Sequence, residues 1–344
     1  MRPKILIIYT GGTIGMIQDC KTGSLVPFNF ESIHDQVPRL SFYDIDIDTL
    51  SFDNPIDSSD MLPQDWKNIA EKIHENYNAY DGFVILHGTD TMAYTASALS
   101  FMFENLSKPI ILTGSQLPLG IPRTDGRNNI INAVEIAAAK HQDNSPIVPE
   151  VCICFENKLY RGNRTYKNNA ENFNAFASPN YPLLANIGVS IKYNYENIAK
   201  LSKEKMQLCT EMNSNIAILK LYPGITQNVV KSILNSEGLR GLVLETYGAG
   251  NSNKSSWFLN LLSEAVNKGI IIVNVTQCRG GGTVNVGRYE SSFLLGKLGI
   301  VSGYDIITES AVTKLMYLLG REENVDEIKT LMCKSLRGEI SIEV

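Results

Sequence analysis

The sequence predicts an α/β protein of two domains, the larger and N-terminal one built on a doubly wound sheet. Three observations carry this. The chain has 344 residues, more than the roughly 250–300 over which a single core grows. Short β-branched runs repeatedly end in Gly/Thr/Ser turns and lead into helix-like segments. Those runs are apolar without alternation, the pattern of strands buried on both faces in a parallel sheet covered by helices.

The elements follow in order. Residues 5–9 form the first strand, ending at Thr10-Gly11-Gly12-Thr13. After Pro63, the residues Trp66, Ile69, Ala70, Ile73 and Tyr77 fall on one helical face. Residues 83–86 form a strand ending at His87-Gly88-Thr89-Asp90-Thr91. Residues 92–103, apolar nearly all round, form a buried helix that Thr89 or Asp90 is placed to cap. A strand at 110–112 runs into Thr113-Gly114-Ser115, and 128–140 is an alanine-rich helix. From about 193 the chain turns polar and rich in Lys, Glu and Asn, so the domains are expected at 1–192 and 214–344, joined by 193–213. The second domain resumes the rhythm, with strands at 216–221, 241–244 and 270–275. Its helices at 256–268 and 310–319 are each followed by a glycine stop, Gly269 and Gly320. Doubly wound sheets, of the flavodoxin or Rossmann kind, bind ligands beyond the carboxyl ends of their strands. The Gly/Thr clusters lie at those ends.

Composition narrows the function. A net charge of −5 opposes a nucleic-acid surface, which needs a basic footprint. No apolar run reaches the roughly 18 residues of a membrane span, and the short one before Thr10 is too brief for a signal-peptide core. Six cysteines without a CxxC pair suggest a reduced, cytoplasmic protein. The four histidines show no metal-ligand spacing, and Cys152 and Cys154 lack a partner pair, so no metal is expected.

Four clusters have chemical potential. Thr10-Gly11-Gly12-Thr13-Ile14-Gly15 is neither GxGxxG nor GxxxxGK[ST]. Its paired glycines let backbone N–H groups converge beside hydroxyls, which suits an oxyanion and a nucleophile, or else simply a turn requiring positive φ. His87-Gly88-Thr89-Asp90-Thr91 can hold a ligand's ammonium and anionic end, or merely cap a helix; His87 reads better as a hydrogen-bonded core histidine than as a base. Asp57-Ser58-Ser59-Asp60 can clamp an amino acid's carboxylate and amine, or cap the helix after it. Arg161-Gly162-Asn163-Arg164-Thr165-Tyr166-Lys167 offers a lysine for proton handling, or a solvated basic turn.

Together, Thr10-Gly11-Gly12-Thr13-Ile14-Gly15 and Leu86-His87-Gly88-Thr89-Asp90-Thr91-Met92 resemble the two signature motifs of the bacterial-type L-asparaginase family. Asp57-Ser58-Ser59-Asp60-Met61, Thr113-Gly114-Ser115-Gln116, Arg161-Gly162-Asn163-Arg164 and Tyr247-Gly248-Ala249-Gly250-Asn251 are similar to family landmarks in family order. The resemblance covers essentially the whole chain and points to the cytosolic type I branch. It implies a larger N-terminal and a smaller C-terminal α/β domain, hydrolysis of L-asparagine to L-aspartate and ammonia without a cofactor, and assembly as a homodimer or homotetramer. It implies Thr13 as the nucleophile, Thr89, Asp90 and Lys167 as the second catalytic group, and Asp57, Ser58, Ser59, Thr89 and Asp90 as the substrate clamp. Backbone N–H groups near Thr13 and Thr89 would form the oxyanion hole.

Two positions depart from the family pattern. Many bacterial members place a tyrosine against the nucleophile where this chain has Leu25. Some cytosolic members use an arginine in the segment before Tyr247 to bind a regulatory asparagine, and this chain has Glu245 there. Rival readings are the amidase subunit of a tRNA-dependent amidotransferase acting as a glutaminase, whose extra leading domain finds no room before residue 4, and a lysophospholipase-type relative with an ankyrin extension. Outside the hydrolases stand a non-catalytic amino-acid sensor, which would lack the nucleophile, and a nucleotide-binding module, which would carry a dinucleotide fingerprint.

Overall fold

A computed structural model describes residues 2–18, 25–27, 33, 37–284 and 290–341. The chain separates into two compact units, Met1–Cys209 and Thr210–Val344.

The first unit is organised by an eight-stranded sheet. Its order is Ile191–Tyr193, Ala185–Ile187, Lys158–Arg161, Val151–Phe155, Ile110–Thr113, Gly82–Leu86, Lys4–Tyr9 and Asp46–Ser51. The last five of these pair in parallel. Counted along the chain, those five lie in the order 2-1-3-4-5, so the winding reverses between Lys4–Tyr9 and Gly82–Leu86. A crevice at the carboxyl ends of these two strands is the expected ligand site of such a sheet. The remaining strands are antiparallel, which departs from the all-parallel expectation. Val151–Phe155 is buried on both faces like its parallel neighbours, but it turns back through a tight hairpin in which Glu156 adopts φ 57. The outer strand Asp46–Ser51 carries Asp48, which pairs with Lys4 at 2.9 Å, and charge on an edge strand discourages further pairing.

Helices Met92–Met102 and Gly126–Ala138 pack on this sheet, and Pro63–Asn76 packs against Met92–Met102. Met92–Met102 is buried at all but one of its positions, as its unbroken apolar composition requires. Neither Thr89 nor Asp90 caps it: its N-cap is Thr91, whose hydroxyl donates instead to the Ser58 carbonyl at 2.6 Å. The capping expectation fails because both side chains are drawn to a long-range partner described below.

The second unit has a four-stranded parallel sheet, Ile216–Lys220, Gly241–Thr246, Ile271–Thr276 and Val301–Ser302, in chain order. Leu242, Leu244, Phe258, Leu262 and Ile272 fill its core. Helix Ser256–Asn267 stops as expected, with Gly269 at φ 86. Helix Thr308–Arg321 instead runs through Gly320. There a Cβ would lie 2.6 Å from the Glu211 carbonyl oxygen, so this glycine admits a passing chain rather than ending the helix.

Lys314 on that helix is fully buried and pairs at 2.5 Å with the equally buried Glu339. Its ammonium also donates to the Met332 carbonyl, and Glu339 accepts from the Leu336 and Arg337 N–H groups. The pair pins residues 332–339 to the helix. Removing one partner strands the other charge, which costs about 3–5 kcal/mol. Lys314→Met is expected to lower the stability of the protein by that amount in denaturant titration, and adding Glu339→Gln should recover part of it.

Candidate active site

The winding reversal gathers the first three clusters. Thr10 donates through both its N–H and its hydroxyl to the Leu86 carbonyl, at 3.1 and 3.0 Å, tying the end of the first strand to the end of Gly82–Leu86. The Thr10 carbonyl accepts from Ile56 N–H at 2.8 Å, which brings in the loop before Asp57. At the junction, backbones touch where side chains would not fit. A Cβ on Gly12, whose φ is 86, would lie 2.5 Å from Gly88 Cα; one on Gly11 would lie 2.1 Å from the Ile56 oxygen; one on Gly88 would lie 2.4 Å from Ser58 Oγ. Thr13 and Thr89 each follow one of the two glycines in mutual contact. Thr13 opens the short helical turn Thr13–Gly15 and is half-buried.

Lys167 reaches the same place from far along the chain. Its ammonium donates to Thr89 Oγ1 at 2.9 Å and to Asp90 Oδ1 at 2.5 Å. Lys167 is 18% exposed and Asp90 63%, so the ion pair forms a wall with the carboxylate facing solvent. The segment leading to Lys167 is not a solvated basic turn. Arg161, Asn163, Arg164 and Thr165 are buried, Arg161 pairs with Glu150 at 2.6 Å, and both guanidinium groups lie over the Tyr181 ring. These anchored cations set the entry angle of the strand Tyr166–Lys167.

Asp57 caps the short turn Ser58–Asp60: its Oδ1 accepts from Ser59 N–H and Ser59 Oγ at 2.9 and 2.8 Å, and these bonds hold its carboxyl below the usual range. Asp57 and Ser59 are exposed, while Ser58 is buried against Gly88. His87 is fully buried, bonded on both ring nitrogens, and neutral; burial pulls its pKa down to about 4.

Gln116 joins the site although no spacing rule singles it out. Thr89 Oγ1 donates to its Oε1 at 3.4 Å, and its amide nitrogen donates to the Ala170 and Asn172 carbonyls. The Thr89 hydroxyl therefore accepts from Lys167 and points its proton at Gln116. The forewarning in the sequence is that Gln116 closes the Thr113-Gly114-Ser115 turn and ends one of the stretches similar to a family landmark. Thr22, Gly23 and Ser24 lie outside the described residues, as does His34; Leu25 lies in the strand Leu25–Pro27.

Among the described residues, no group of three or more His, Cys, Asp or Glu side chains is placed to hold a metal, and no helix is long and apolar enough to cross a membrane. The Tyr247–Asn251 segment belongs to the second unit, where it forms a turn closed by Tyr247 N–H to the Asn251 carbonyl at 2.9 Å.

Residues 4–199 match the family model described as "Asparaginase, N-terminal" and residues 215–332 the one described as "Glutaminase/Asparaginase C-terminal domain". The chain is 43% identical over 341 residues to L-asparaginase 1 of Escherichia coli K12, covering 99% of this chain and 98% of that one. It is 39% identical to a mouse 60 kDa lysophospholipase, covering 98% of this chain and 63% of the longer protein. The crystal structure of L-asparaginase I from Vibrio cholerae superposes with a TM-score of 0.90 at 41% identity, covering 99% of this chain and all of that one.

The glycine junction has a direct consequence. In Gly12→Ala the new methyl must adopt a left-handed φ and displace the Gly88 backbone, costing about 2–4 kcal/mol. Thermal melting should register that loss, together with a large fall in turnover as the two threonines separate.

Proposed function

The chain belongs to the asparaginase family of hydrolases, and from that premise we propose that it cleaves the side-chain amide of L-asparagine to L-aspartate and ammonia through an acyl-enzyme on Thr13. The observation that carries the reading is the Lys167 ammonium bridging Thr89 Oγ1 and Asp90 Oδ1 beside the contact of Gly12 and Gly88.

An amide is a poor electrophile, so its oxygen must be polarised and its nitrogen protonated on leaving. In the acylation step Thr13 Oγ attacks the side-chain carbonyl carbon, and backbone N–H groups at Thr13 and Thr89 receive the charge that develops on oxygen. The Thr13 proton passes to the departing nitrogen, the C–N bond breaks and ammonia leaves. Water then adds to the ester, and Thr13 departs with a proton as aspartate forms. Thr89, with Lys167 donating to its oxygen, activates that water: a neighbouring ammonium lowers the cost of negative charge on the hydroxyl oxygen. Each of the exposed carboxylates of Asp90 and Asp57 has a second oxygen for the substrate ammonium, and Ser58 and Ser59 provide the hydroxyls of the carboxylate clamp. No cofactor enters the scheme. We propose that it acts as a homo-oligomer in the cytoplasm, with asparagine and aspartate as its ligands.

The activity is tested by ammonia release from L-asparagine and L-glutamine. Release from asparagine is expected at the higher kcat/KM, and release from neither would remove the reading. Thr13→Ala should lower kcat by several orders of magnitude with aspartate binding largely kept. Thr89→Val keeps the shape and loses the hydroxyl, so intact-mass measurement after mixing with asparagine should find an aspartyl adduct on the peptide containing Thr13. An adduct mapped elsewhere, or near-normal turnover in Thr13→Ala, would overturn the assignment.

A regulatory asparagine site of the kind the family suggests requires a cation before Tyr247. Glu245 stands there with its carboxylate held by Thr308 Oγ1 at 2.7 Å and Lys220 Nζ at 3.4 Å. Burial, together with the charge of Glu245, pushes the neighbouring Glu309 carboxyl up, and Arg279 opposes it. A second carboxylate meets repulsion in this surrounding. Initial rates should follow a hyperbola in asparagine; a sigmoidal curve would show that a second site operates.

A further inference from the structure

Behind the Gly88–Thr89 peptide runs a buried chain of polar groups that the proposed chemistry does not use. Trp66 Nε1 donates to Thr95 Oγ1 at 3.0 Å, Thr95 Oγ1 meets His87 Nε2 at 2.9 Å, and His87 Nδ1 meets the Gly88 carbonyl oxygen at 2.6 Å. Trp66 is 5% exposed, and His87 and Thr95 are fully buried. The two ends fix every proton between them. An indole N–H only donates and a carbonyl only accepts. His87 therefore carries its proton on Nδ1. With the ring neutral, its Nε2 lone pair receives the Thr95 proton, and Thr95 accepts from Trp66. One tautomer is selected from outside the site.

We infer that Trp66, Thr95 and His87 form a positioning chain that aims the Thr89 backbone N–H into the site; this rests on reading that N–H as an oxyanion donor. Among the described residues no peptide bond is cis, so the Thr89 N–H points opposite to the Gly88 carbonyl, and holding the oxygen holds the donor. The hold is needed because of Gly88. Ser58 Oγ leaves no room for a side chain there, and a residue without Cβ cannot fix its own peptide plane by sterics. The imidazole supplies the constraint that the missing Cβ would have given. Among the described residues the Thr89 N–H meets no acceptor, as befits a donor kept for a ligand.

His87 is accordingly a positioning residue, and its variants separate this role from packing. His87→Leu fills the space without a donor. His87→Asn places an amide N–H near the Nδ1 position. With asparagine as substrate, His87→Leu should lose about a hundredfold in kcat with KM nearly unchanged, the scale of losing one oxyanion donor, while His87→Asn should recover at least tenfold of it. Thr95→Val should lower kcat and Thr95→Ser should restore it. Nitrogen NMR of the parent labelled at histidine should show an Nδ1–H tautomer at His87 that does not titrate between pH 5 and 8. The Thr89 amide resonance should shift in His87→Leu and return toward the parent position in His87→Asn. An Nε2–H tautomer in the parent, equal kcat in the Leu and Asn variants, or a His87→Leu kcat within threefold of the parent would overturn the inference. If the parent released no ammonia from asparagine, the catalytic reading would fall, whereas the tautomer and the Thr89 resonance would still decide whether the chain sets this peptide.

Discussion

The site depends on one contact, the backbone of Gly12 against the backbone of Gly88. Two strand ends approach closely enough to bring the residues after these glycines into one candidate site, and the approach is possible only without side chains. Gly11 against Ile56 and Gly88 against Ser58 extend the same arrangement to the third loop. Three segments distant in sequence thus meet at bare glycine backbones, two of the contacts being main chain on main chain and the third main chain on the Ser58 side chain. A missense change at any of these glycines adds at least a Cβ, so the junction has no conservative substitution. Rigidity comes from the fold, and the hydroxyls proposed to react are mounted on it.

Around that junction the charges are set from a distance. Lys167 is 78 positions from Thr89, and its approach is governed by buried groups that never touch the site: the Arg161–Glu150 pair and the stack of Arg161 and Arg164 on Tyr181. Burial of such cations is tolerable only because each is paired or stacked. Gln116 plays a comparable part, fixed by two carbonyls of the loop after Lys167 while its own oxygen faces Thr89.

Much of this was legible in the sequence. The buried strands and their polar ends were visible as apolar runs broken by Gly/Thr turns, and the clusters at those ends are the ones that converge. The misreadings share a cause. Thr89 and Asp90 satisfy every local rule for capping, yet a lysine far along the chain claims both. Gly320 follows a helical run like a stop signal, yet packs against residues 211–212 inside the helix. A doubly buried strand reads the same whether its neighbour is parallel or antiparallel, so the hairpin after Val151–Phe155 left no mark. Lys167 stood out as the lysine of a basic cluster, but its partners Thr89 and Asp90 came through resemblance, and the partnership of Trp66, Thr95 and His87 joins residues that no short-range pattern connects.

The protein has two tryptophans, and they are divided between the two units: Trp66 in the first, Trp257 in the second. Trp66 is buried with its indole nitrogen hydrogen-bonded in the wall of the site, whereas Trp257 is half-buried on helix Ser256–Asn267 beside Phe258. Indole emission shifts to the blue in a dry environment, so Trp66 is placed to emit as the bluer of the two and Trp257 as the redder. The bluer one belongs to the unit that holds the candidate chemistry. The molecule therefore carries its own optical probe of that wall, and the order in which its two halves come apart can be followed by colour without any added label.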